Sequence, residues 1–117
     1  MSEAVVIVNY RSLPDRSETA RRAIGALVAT VLSDEPECGG ITLLQDAGDS
    51  TRFTLIERWA SQEFFLGPHM RRAHIQSFIR TATEFLAGPP DISFWREARD
   101  ARPAPQAEAG SPSPDFK

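Results

Sequence analysis

The feature that most constrains this chain is its first segment. Ala4-Val5-Val6-Ile7-Val8-Asn9-Tyr10-Arg11 is apolar and β-branched at successive positions rather than at alternate ones. Side chains along a strand point to opposite faces in turn. Such a run therefore specifies a strand buried on both sides. A sheet built around it needs cover on two faces, and the rest of the chain must account for that cover.

After the loop closed by Pro14, Asp15 followed by Glu18 has the spacing of a capping box, with Asp in the Ser/Thr role. Ile24, Leu27, Val28 and Val31 then recur at i, i+3, i+4 and i+7. That is one apolar helical stripe, and it predicts a helix from about Arg16 to Ser33. Pro36 and Gly39-Gly40 read as turn punctuation. Ile41 to Gln45 is a short strand, and Asp46 to Ser50 a hairpin loop. Arg52 to Trp59 alternates, placing Phe53, Leu55, Glu57 and Trp59 on one face. Ser61 is a helix N-cap, and Gly67-Pro68 breaks the helix that it opens. A longer helix then carries Ile75, Phe78, Ile79, Ala82 and Phe85-Leu86 to an end near Gly88. Asp91 to Ala98 is the last strand.

The order β-α-β-β-α-β is the split βαβ pattern. It implies an α+β, ferredoxin-like domain over residues 1–98, with one four-stranded antiparallel sheet and both helices on one face. The other face of the first strand would leave a large apolar patch in water, which soluble monomers rarely tolerate. A second copy packed sheet to sheet about a two-fold axis is the simplest cover. A homodimer of the dimeric α+β barrel type is therefore expected. From residue 99 to 117 the composition turns to Pro, Ala, Ser and Gly without apolar periodicity. A flexible tail is expected there.

Composition narrows the function classes. The net charge is −3 and no basic run stands out, which argues against a nucleic-acid partner. No apolar run approaches the ~20 residues that span a bilayer, so no membrane partner is expected. Cys38 is the only cysteine, so there is no intrachain disulfide, as suits a reducing compartment. Met1 to Tyr10 lacks the basic and apolar regions of a signal peptide. The expected location is cytoplasmic. No phosphate loop and no Cys/His zinc cluster is present, and no metal site is expected.

Several short motifs resemble one family. Glu35-Pro36-Glu37-Cys38 is similar to the Glu-Pro-Gly-Cys turn of antibiotic biosynthesis monooxygenase (ABM) domains. Glu57-Arg58-Trp59 with Ser61-Gln62-Glu63 resembles that family's strand end and helix cap. His69 and His74 match two positions where the family often carries His. The match runs from about Val5 to Ala98. Glu37 departs from the usual Gly, Gly39-Gly40 from larger residues, and Ala73 from the Pro before the second His; Pro68 precedes the first. The haem-degrading branch uses an Asn, a Trp and a His together, and Asn9 and His74 do not fall cleanly at those positions. The resemblance implies oxidation of an electron-rich polycyclic phenol, quinol or anthrone by O2, without metal, flavin or haem. The protein would supply an apolar pocket, a base and exclusion of water.

Each candidate side chain has two readings. His69 and His74 titrate near neutral pH and can serve as bases, or can sit at the surface or cap beside the Gly-Pro break. They lie five apart, not at the i, i+4 spacing of a helical metal pair. Trp59 can stack on a planar substrate or fill the core at a strand end. Glu57, if buried, needs a partner such as Arg58, Arg52 or an Arg of a partner subunit; the alternative is a general acid. Asn9 can orient a substrate oxygen or point to the strand edge. Phe53, Leu55, Phe65 and Phe78 supply pocket wall. Phe65 stands where some quinone-forming relatives carry Tyr, which opens two further readings. One is a non-redox polyketide cyclase, isomerase or small-molecule-binding domain. The other is a non-catalytic dimerising module, with its pocket filled by Phe65 against Trp59.

Overall fold

In the computed structural model, which describes residues 3–104, the two-faced apolar run forms β1 (Ala4–Arg11) and lies inside the sheet. It is followed by α1 (Ser17–Asp34), β2 (Cys38–Gln45), β3 (Arg52–Trp59), α2 (Gln62–Leu66), a 3-10 turn (His69–Arg71), α3 (Ala73–Ala82) and β4 (Asp91–Trp95). The four strands form one antiparallel sheet in the order β2-β3-β1-β4. The expected α+β, ferredoxin-like arrangement is the one observed. Among the described residues no helix is long and apolar enough to cross a membrane. Residues 105–117 of the expected tail lie outside the described residues.

Register sorts the strand residues by face. β1 pairs with β3 so that Val6 faces Glu57, Val8 faces Leu55 and Tyr10 faces Phe53. These inner residues pack beneath Ala20, Ile24 and Val31 of α1 and Ile75 of α3 in one core. The outer residues Val5, Ile7 and Ile56 are only half-buried, and Trp95 on the same face is 57% exposed. Both faces of β1 are thus apolar, as the sequence demanded, but within one chain only the inner face is covered.

Local details differ from the sequence expectation at four points, each for a physical reason. Asp15 does not cap α1. Arg16 holds the N-cap position without a side-chain bond, and Glu18 is instead gripped by Arg21 at 3.1 Å and Arg22 at 3.2 Å. Gly39-Gly40 is not a turn: β2 starts at Cys38, paired with Trp59, and a bulge between Cys38 and Gly40 absorbs one extra residue. Gly40 adopts φ +153°, which a side chain would strain. α3 stops at Ala82 rather than near Gly88. The backbone of Phe85 and Ala87 pairs with the segment after β1, through Leu13 N–H to Phe85 O and Ala87 N–H to Arg11 O, both 2.8 Å. Phe85 and Leu86 are still buried, but from a turn. β4 ends at Trp95, three residues short of expectation, because its ladder with β1 closes at Val5.

Ser61 does cap α2, its hydroxyl accepting from Phe64 N–H at 3.0 Å. Gly67 and Pro68 end that helix and admit the 3-10 turn. Phe53 is 1% exposed at the centre of the inner face. Phe53→Ala is expected to cost about 3–5 kcal/mol, read as a lower urea midpoint at an unchanged slope.

Candidate active site

α1 ends at Glu35, whose backbone N–H donates to Val31 O at 2.8 Å. The side chain turns inward and is 1% exposed. A buried carboxylate is costly unless hydrogen-bonded. Two imidazoles supply the bonds. His69 Nδ1 lies 3.0 Å from both carboxylate oxygens, and His74 Nε2 lies 2.7 Å from Oε2. His69 comes from the 3-10 turn and His74 from the first turn of α3. Arg72 reinforces the junction by donating to Asp34 O at 2.9 Å.

The His69 ring is wedged between aromatic neighbours. Its centroid is 4.3 Å from that of Trp59 and 4.9 Å from that of Phe65. Trp59 is fully buried, and its indole N–H donates to Glu57 Oε1 at 2.7 Å. The residues that join the two carboxyl groups thus run Glu57, Trp59, His69, Glu35.

Between sheet and helices lies a cavity of about 510 Å³, within the usual range of small-molecule sites. Its floor is Val8 and Leu55, and its roof is aliphatic, from Ile24, Leu27, Val28 and Ile75. Tyr10, Glu57 and His69 are the titratable groups that line it. Nδ1 is engaged by Glu35, and among the described residues Nε2 of His69 has no hydrogen-bond partner. A carboxylate acceptor at Nδ1 selects the tautomer in which Nε2 carries the lone pair.

Burial pulls the His69 pKa down, and the Glu35 carboxylate partly restores it. Burial pushes Glu57 up to about 7, against the opposing pull of the Trp59 indole N–H. Burial also raises the Tyr10 phenol, and the Glu57 charge adds to that rise. Among the described residues no group of His, Cys, Asp and Glu is arranged to hold a metal ion.

A model of the family described as antibiotic biosynthesis monooxygenase matches residues 4–81. The chain belongs to the antibiotic biosynthesis monooxygenase family. Solved structures agree with this fold. The Pseudomonas aeruginosa protein PA3566 is 26% identical at a TM-score of 0.75, over 85% of this chain and 97% of that one. A candidate antibiotic biosynthesis monooxygenase of Nitrosomonas europaea is 24% identical at 0.73, over 82% and 90%. Rv0793 of Mycobacterium tuberculosis is 22% identical at 0.73, over 86% and 100%. No curated protein matches. Membership in this family supports a monooxygenase-like function at that coarse level.

Within this ABM domain the sequence candidates separate. His69, Glu57, Leu55, Phe65 and Phe78 line the cavity. Trp59 and Phe53 are core residues behind its wall. His74 stands behind Glu35 and does not reach the cavity lining. Asn9 lies on the outer face, accepting from the Thr54 hydroxyl at 2.7 Å. Among the described residues Glu57 has no Arg partner. Arg58 engages Glu97 and Arg52 lies 3.9 Å from Asp46, so Trp59 is its partner instead. Two residues were not singled out as site candidates: Glu35, seen only as part of a turn motif, and Tyr10. An available signal for Glu35 was an acid at a helix C-terminus, where the dipole disfavours negative charge, in a chain with two His.

Glu57 sets a pH dependence of stability. Its folded pKa is raised from 4.5 to about 7. The folded state therefore binds the extra proton between those values, and stability is lost as pH rises through them. Relative to Glu57→Gln, which keeps an acceptor for the indole, the wild type should lose roughly 3 kcal/mol between pH 4 and pH 8. Urea denaturation of both proteins at the two pH values measures the difference.

Proposed function

We propose that this chain is a cofactor-independent monooxygenase that oxidises an electron-rich polycyclic phenol, quinol or anthrone with O2. The observation that carries this reading is the Glu35-held His69 on the wall of an apolar cavity of about 510 Å³. Nε2 of His69 removes the acidic proton of the bound substrate, and Glu35 stabilises the imidazolium that forms. The resulting carbanion or phenolate passes an electron to O2, and carbon–oxygen bond formation gives a hydroperoxide. Loss of water leaves a carbonyl. One oxygen atom is then in the product and one in water, so a methylene-to-carbonyl conversion balances without an added reductant. The aliphatic walls offer the anion few polar partners, and a bound fused-ring substrate would displace water from them.

The cavity weighs against a module whose pocket is filled by its own side chains. Phe65 does pack on Trp59, with centroids 5.7 Å apart, yet the space beside them persists. A non-redox cyclase or isomerase would use the same base. It is distinguished by turnover that consumes no O2.

His69→Gln is expected to lower the rate of oxygen uptake with an anthrone about 10²-fold or more. Glu35→Gln should lower it less and shift the pH profile. An oxygen electrode, with protein freed of metals, reads both. Wild-type uptake equal to the blank at every pH would remove the reading.

We also propose a homodimer in which two outer sheet faces meet. Val5, Ile7 and Ile56 with the exposed Trp95 and Leu44 form an apolar face on that side. Burying such faces at ~25 cal/mol per Å² favours association. Sedimentation equilibrium at low micromolar concentration should give twice the chain mass, and Ile7→Asp should give the single chain.

A further inference from the structure

Proton transfer at His69 engages only one end of the cavity. Tyr10 stands towards the other. On the inner face of the sheet, Val6 pairs with Glu57 and Tyr10 with Phe53. Four residues of strand separate those rungs by about 13 Å of backbone. His69 belongs to the Glu57 end, its ring tilted against the Trp59 whose indole binds Glu57. The Tyr10 ring is fixed edge-on against Phe78, with centroids 5.9 Å apart. Between the two ends the floor is Val8 and Leu55.

Among the described residues the Tyr10 hydroxyl meets no hydrogen-bond partner; burial and the Glu57 charge are what act on it. The side chain is only partly buried at the cavity wall, so solvent in the cavity can satisfy the hydroxyl until an acceptor on a ligand replaces it. Both influences keep the phenol protonated, so it remains a donor.

We propose that Tyr10 is a specificity residue whose O–H donates to an acceptor oxygen, carbonyl or hydroxyl, at the end of the ligand remote from His69. The ligand class is then a planar fused-ring molecule with oxygen functions at opposite ends, an acidic one at His69 and an acceptor at Tyr10. The orientation rests on the proposed role of His69, but the Tyr10 contact itself does not.

Two rival donors line the same cavity, the Thr83 hydroxyl, which only substitution separates from Tyr10, and Glu57. Glu57 Oε1 is taken by the Trp59 indole, but Oε2 can donate when the carboxyl is protonated. The titratable groups around Glu57 are Tyr10 on β1, Cys38 on β2, Glu35 beyond α1 and, through Trp59, His69. Glu57 loses its proton near pH 7, whereas Tyr10 keeps its own. Tyr10 and Glu57 are therefore separable by pH.

The test is equilibrium binding of 1-tetralone and of tetralin to the full chain at pH 5.5 and pH 8.5, read by calorimetry. Tetralone differs by one carbonyl and has no phenol to oxidise, so the result does not depend on oxygenase turnover. Tetralone should bind roughly five- to tenfold tighter than tetralin at both pH values. Tyr10→Phe should bring tetralone to the tetralin level while leaving tetralin affinity and the melting temperature unchanged. Thr83→Val should preserve the wild-type ratio. Equal binding of the two compounds, or of neither, by the wild type overturns the proposal. So does a ratio that survives in Tyr10→Phe. A preference present at pH 5.5 and lost at pH 8.5 also overturns it and assigns the contact to Glu57.

Discussion

Glu35 carries a carboxylate that sees almost no solvent, and the side chains around it are arranged to make that tolerable. Removing a charged carboxylate from water costs several kcal/mol unless close partners replace the lost hydration. Two imidazoles do so here, one from the 3-10 turn and one from α3, and both meet the end of α1 at this single group. The position is unfavourable on a second count, since the C-terminus of α1 already presents unsatisfied carbonyls. The carboxylate therefore fastens three elements that the hydrophobic core alone would hold less specifically. It also fixes the orientation of the His69 ring at the wall of the cavity.

The two carboxyl groups of this region live under different conditions. Glu35 is met by ring nitrogens from two His residues, whereas Glu57 has one indole N–H and an apolar surrounding. The contrast explains why Glu57 holds its proton up to about 7. On the cavity wall itself Glu57 is thus a neutral carboxyl below about pH 7, and the carboxylate that faces His69 stands outside the lining.

Much of the fold was legible in the sequence because it rests on periodicity. The two-faced run at Val5 to Val8, the helical stripe from Ile24 to Val31 and the alternation from Phe53 to Trp59 are local patterns, and each survives unchanged. The misreadings arise where tertiary pairing overrides local preference. Gly39-Gly40 resembles a turn but is drawn into the ladder opposite Arg58 and Trp59, and the segment after Ala82 leaves its helix to pair with the strand exit at Ser12. The site was only partly legible for the same reason. His69 stands out by composition, but its meeting with Glu35, 34 positions away, is a consequence of packing and not of spacing. Asn9 shows the reverse: a polar interruption in an apolar strand left two readings open, and strand parity sends the side chain to the outer face, beside Thr54.

The interruption at Gly67-Pro68 has a consequence for the spacing of the two histidines. On one continuous helix, residues five apart are rotated by roughly 140° about the axis, so His69 and His74 would diverge. The break resets that rotation by inserting a tight 3-10 turn before α3 begins, and both rings then converge on one acceptor. Gly67 has little latitude here, since an added Cβ would lie 3.2 Å from the Glu63 carbonyl oxygen. Connections between elements usually absorb insertions and deletions freely. This one acts as a phase corrector, and its length is set by the geometry of the Glu35 contacts on either side of it: a single residue more or less would turn one imidazole away from the shared carboxylate while leaving the apolar core intact.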